Sequence, residues 1–159
     1  MGAISQSVVR QMMHVRDEKA VGTAGGASLA GVNIRALNTV VRNTIPGASL
    51  AANQVTLPAG KYRISGQAAV GNKAGANKLY LYDVTNAVLA IAGSSSDCST
   101  ATVMQVPALL NGPLIIVAST VYELRHQIAA AVAATGLGVA TNVAAAGVEV
   151  FAELWIEKE

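Results

Sequence analysis

The chain has 159 residues, 52% hydrophobic and 13% charged, with a formal net charge of +2. That length suits one domain whose core folds without disulfides or metals, and the composition excludes an intrinsically disordered chain. Eleven basic residues, scattered and nearly matched by nine acidic ones, exclude a phosphate-binding groove and with it a nucleic-acid partner.

Met1 to Val15 lacks a basic start, an unbroken apolar run and a small-residue cleavage site, so no secretory signal is expected and synthesis in the cytoplasm follows. Val8 to Val15 reads in two ways. Its β propensity fits an edge strand. Alternatively, residues 1–20 form an attachment arm that adds little to the core and offers Val8, Arg10, Met12, Met13 and Arg16 to a partner, since flexible methionines adapt to uneven surfaces and arginines meet acidic groups. Arg16 to Lys19 is balanced in sign, as in a surface ion-pair knot or an assembly contact.

Gly22 to Gly31 is a Gly and Ala loop leading into a strand over Val32 to Leu37. Gln54 to Leu57, the turn Pro58-Ala59-Gly60 and the alternation of Tyr62, Ile64, Gly66 and Ala68 predict a hairpin. Lys78 to Thr85 and Val88 to Ala92, joined by polar turn residues, predict a second. Asn111-Gly112-Pro113 splits Val103 to Leu110 from Leu114 to Val117. Val121 to Ile128 alternates Tyr122, Leu124, His126 and Ile128 against polar residues, a turn or two of helix is expected at Ile128 to Ala134, and a short strand near Gly138 to Thr141. The strongest alternation ends the chain: Val148, Val150, Ala152, Leu154 and Ile156 against Glu149, Phe151, Glu153, Trp155 and Glu157. Eight or more short strands without a fixed repeat predict a sandwich or barrel.

No charge occurs between Arg125 and Glu149, a gap long enough to span a bilayer, but it is mostly Ala with interspersed Gly, Thr and Asn, so membrane insertion is not expected. Catalytic chemistry is sparse. His14 and His126 stand apart from other ligand residues and read as packed or interface histidines. Cys98 has a carboxylate neighbour and no cation, which fits an inert thiol. Glu149, Glu153 and Glu157 recur on one face as a solvated strand surface. Gly60-Lys61 lacks the Ser or Thr of a phosphate loop, and Gly136-Leu137-Gly138 lacks the third glycine of a dinucleotide turn. No enzyme, cofactor or metal site is expected.

The runs Val15 to Gly26, Arg35 to Thr39 and Ile45 to Ile64, followed in order by Leu79 to Asn86, Gly93 to Ser95, Tyr122 to Gln127, Thr135 to Ala140 and Val148 to Leu154, resemble a domain at the C-terminal ends of phage tail fibres and in other phage virion proteins. The resemblance covers about residues 13 to 159. That family is similar to the trimeric jelly roll of the tumour necrosis factor and complement type. It implies an all-β jelly roll of about eight to ten antiparallel strands over residues 21–159, preceded by the arm, and a homotrimer. Phe151, Trp155, Tyr122 and His126 are the expected interface residues, with Val150, Leu154 and Ile156 inside the sandwich. A short arm before a trimeric knob fits a free-standing capsid decoration, cement or head-fibre protein in the virion, seated on the major capsid protein. The alternative is a tail-fibre tip or small tail adhesin, attached to a tail or baseplate protein and binding a host-surface receptor. A carbohydrate-active enzyme is the third reading, without a well-placed acid pair to carry it.

Overall fold

The computed structural model describes residues 10–71, 73–98 and 104–159. In chain order these form β1 (Gln11–Lys19), β2 (Gly31–Ile34), β3 (Thr39–Asn43), β4 (Ser49–Ala51), β5 (Gln54–Leu57), β6 (Gly60–Gly71), β7 (Gly75–Asp83), β8 (Val88–Cys98), β9 (Gln105–Ile116), β10 (Thr120–Ile128) and β11 (Glu149–Lys158). A 3-10 turn at Ala144–Ala146 is the one helical element among the described residues.

Two antiparallel sheets face each other. The first has the order β3-β1-β11-β6-β9; the second runs β4-β5-β10-β7-β8, with β2 paired to the far end of β10. Most connections cross from one sheet to the other, and the first strand lies beside the last, which is the wiring of a jelly roll. Period-two patterning makes the core. Met13 and Val15 of β1, Tyr62, Ile64 and Ala68 of β6, Tyr122 and Leu124 of β10, and Ala152, Leu154 and Ile156 of β11 all point between the sheets. Each Leu or Ile so buried contributes roughly 1.5–3 kcal/mol. A smaller cluster of Val70, Ala74, Cys98 and Ile128 closes one end beneath Val132 and Leu137.

Several expectations are corrected. β1 is no edge strand: it lies between β3 and β11, with Met13 and Val15 fully buried, because apolar residues at strand spacing sink into the core. An arm over residues 1–20 therefore does not hold for Gln11 to Lys19. β5 and β6 form no hairpin with each other. The Pro58 turn carries the chain across to the opposite sheet, and the Tyr62 hydroxyl donates to the Pro58 carbonyl at 2.8 Å to hold it.

Asn111-Gly112-Pro113 does not interrupt β9, which runs through it paired with Ser65, Ile64 and Arg63. β9 is a sheet edge, where a proline forfeits no ladder bond. A Cβ on Gly112 would stand 2.8 Å from the Ile91 side chain, so glycine is required there for close packing. The hairpin of β7 and β8 does form, closed by Asp83 accepting from the Asn86 backbone and side-chain amides at 2.8 and 2.7 Å. Residues 128–134 form no helix, since Val132 bridges to Ser28 instead. Residues 138–141 form no strand: the Thr141 and Asn142 amides turn to the Glu149 carboxylate.

Candidate functional site

The outer face of the first sheet is the most distinctive surface. Asn111, Ser65, Trp155, His14 and Arg42 lie side by side across β9, β6, β11, β1 and β3. The next rung carries Leu109, Gln67, Glu153, Arg16 and Thr39. Trp155 remains 40% exposed, with Leu109 and Ile115 at 44% and 72% on the same face. Arg63, Ser65, Asn111, Pro113, Trp155 and Glu157 line an open depression of about 740 Å³ there.

Trp155 covers His14, the rings stacking with centroids 3.4 Å apart and planes at 16°. His14 Nε2 lies 3.0 Å from Glu153 Oε2 and 3.3 Å from Arg16 Nε. One nitrogen cannot donate to the carboxylate and accept from the guanidinium at once, so the two contacts select opposite tautomers. Burial pushes the His14 pKa down, the Glu153 hydrogen bond opposing it. Gln67 donates to the other Glu153 oxygen at 2.6 Å, and Arg16 also meets Glu18 at 3.3 Å. The face thus sets exposed apolar side chains among charges of both signs.

Of the four expected interface residues, only Trp155 is on the surface. Phe151, Tyr122 and His126 are buried within the protomer, at 2%, 3% and 0% exposure. A register shift between Asp17 and Glu18 breaks the alternation of β11, so Phe151 and Ala152 are both buried. The loop after β10 then covers Phe151 so closely that a Cβ on Gly138, at φ +140°, would collide with its ring. Tyr122 and His126 lie on the inward face of β10. Val150 is only half-buried, unlike Leu154 and Ile156, which are interior as expected.

Of the expected attachment residues, Val8 lies outside the described residues. Arg10 is exposed and pairs with Glu157 at 3.2 Å, a surface contact contributing roughly 0–1 kcal/mol. Met12 and Arg16 are half-buried, and Met13 is a core side chain. Nor is Glu149 solvated. Its carboxylate accepts from the backbone amides of Asn142 (2.8 Å), Thr141 (3.2 Å) and Gly22 (3.3 Å) and from the Thr141 hydroxyl (3.0 Å), which together hold its pKa below the ordinary value. Cys98 is buried, its thiol 3.1 Å from the Met104 carbonyl. Among the described residues no group of three or more His, Cys, Asp or Glu side chains gathers to hold a metal.

Sequence reading misses a buried polar set at the end of the sandwich. Arg35 is 0% exposed and donates to three carbonyls, those of Ala69 (3.1 Å), Leu137 (2.9 Å) and Phe151 (2.8 Å). It ties β6, β11 and the loop after β10 to the end of β2. Burial lowers its pKa to about 10, with Asp17, itself buried and raised by desolvation, opposing the shift. The inward polar phase Asn33, Arg35 is the one sequence signal that could have marked it.

No protein-family model and no curated protein matches the chain. Solved structures do. A crystal structure of murine APRIL at pH 5.0 superposes with a TM-score of 0.64 at 10% identity, covering 95% of this chain and all of that one. Murine APRIL at pH 8.0 gives 0.61 at 9% identity with the same coverage. The globular domain of zebrafish complement 1qA protein gives 0.52 at 12%, covering 94% and 97%. The chain therefore has a jelly roll of the tumour necrosis factor and complement type, with eleven strands among the described residues.

Proposed function

We propose that this chain is a non-enzymatic structural protein of a phage particle that assembles as a homotrimer through the outer face of the β3-β1-β11-β6-β9 sheet. The observation that carries the reading is that face: Trp155, Leu109 and Ile115 stand exposed on it among charges of both signs, which suits a second copy better than a strongly charged partner. Three copies, each offering this face to a neighbour, close a ring that covers Trp155. The fold likeness supports the choice of architecture, and the ordered sequence segments resembling phage virion domains support the setting.

Within that setting the trimer decorates or cements the capsid, held by residues before β1 together with Arg10. Many repeated weak contacts then stabilise the shell by linkage. The resemblance to tail-fibre ends favours one alternative, a fibre-tip adhesin binding a host receptor through its loops. Immunogold labelling of purified particles tests both. Label over the head is expected; label confined to the tail tip would replace decoration with adhesion, and particles free of label would overturn the virion assignment.

A further inference from the structure

The buried polar set contains two atoms without a hydrogen-bond partner among the described residues, Arg35 Nε and His126 Nδ1. They belong to neighbouring residues. Arg35 donates its backbone amide to Leu124 at 2.8 Å, and Asn33 is paired with His126, so Arg35 and His126 are diagonal neighbours on the inward face of β2 and β10. Both residues are 0% exposed.

Their chemistry is fixed by the groups around them. Asn77 donates through Nδ2 to the Gly75 carbonyl at 3.1 Å, which turns its Oδ1 toward His126 Nε2 at 3.0 Å. A carbonyl oxygen only accepts, so Nε2 carries the proton and Nδ1 presents a bare lone pair. Arg35 Nε–H is a donor only. Whatever joins the two must accept from one and donate to the other. A chloride cannot donate, and a metal cation is repelled by the guanidinium. Both side chains are fully buried, which leaves a bulkier hydroxyl ligand no route to them.

We propose that a single internal water is bound between Arg35 Nε and His126 Nδ1, accepting from the guanidinium and donating to the imidazole. It completes the hydrogen bonding of a site whose two orphan groups would otherwise each carry a desolvation penalty. The water joins the end of β2 to β10 at the point where Arg35 gathers β6, β11 and the covering loop, so it is part of the fold's closure.

Two measurements on the intact protein at neutral pH test this. A long-range proton–nitrogen correlation spectrum should show one histidine protonated at Nε2 with Nδ1 as a hydrogen-bonded acceptor, assigned to His126 by its persistence in His14→Gln. A crystal structure able to place single waters should show one oxygen about 2.7–3.2 Å from both atoms. A His126 protonated at Nδ1, a direct bond from Arg35 Nε to Nδ1, or a dry site would each overturn the proposal.

Discussion

His14 is sealed beneath Trp155: the two residues face each other across β1 and β11, with ring centroids 3.4 Å apart. The indole therefore shields a buried histidine on one side and presents its other side outward, as an interface anchor does. Trp155→Ala should leave the protomer folded, expose His14 and weaken self-association. Phe151→Ala should do the reverse, because its ring is interior. It should lower unfolding free energy by roughly 3–5 kcal/mol while assembly of the remaining folded protein persists. Sedimentation and urea melts of both variants check this; equal effects on assembly would contradict it.

Arg35 acts as a clamp on three carbonyls. Hydrogen bonds to a charged group contribute about 1.5–3 kcal/mol each, partly offset by guanidinium desolvation. Arg35→Leu should therefore lower stability by something on the order of 2–4 kcal/mol. Arg35→Lys should restore little, since one ammonium cannot reproduce the planar fork. Urea midpoints decide the matter, and a leucine variant as stable as the parent would show that the clamp is dispensable.

Glu149 holds two loops by its carboxylate. In Glu149→Gln one oxygen acceptor is lost and the charge with it, so the amides of Gly22, Thr141 and Asn142 should exchange faster while the strands keep their protection. Unchanged exchange at those three amides would show that the carboxylate does not hold the loops.

Stability should fall as pH drops from 6.5. Burial, aided by Arg35, pushes the His126 pKa to about 3, and burial lowers that of His14 from its ordinary 6.5. Through that window the unfolded chain binds more protons than the native one, so stability present near neutrality is lost on acidification. His126 alone contributes a slope of up to about 1.4 kcal/mol per pH unit. Nearer pH 4, Glu149 adds to the loss, whereas Asp17, raised by burial, opposes it. Urea midpoints at pH 7, 6 and 5 should decline in the parent and less steeply in His126→Gln; a flat parent profile would contradict the buried neutral histidine.

The sandwich was legible because its core strands largely obey period two: in Tyr62 to Ala68, Tyr122 to Ile128 and Leu154 to Ile156 the apolar set is buried as its alternation demands, although Glu123 is buried as well. What was not legible depends on long-range partners. Alternation alone would turn Val32 and Ile34 inward, yet they are 48% and 50% exposed while Asn33 and Arg35 face the interior. Arg35 is tolerated there only because carbonyls distant in sequence converge on it. Phe151 read as an interface aromatic because its cover, Gly138, comes from a loop with no pattern of its own. Pro113 read as a break because nothing local reveals that β9 is an edge.

The central claim is self-association through the Trp155 face, and native mass tests it most directly. Sedimentation equilibrium at micromolar concentration should give three times the 16.1 kDa chain mass, with Trp155→Ala shifted toward monomer. A folded parent protein that sediments as a 16.1 kDa monomer would contradict the account.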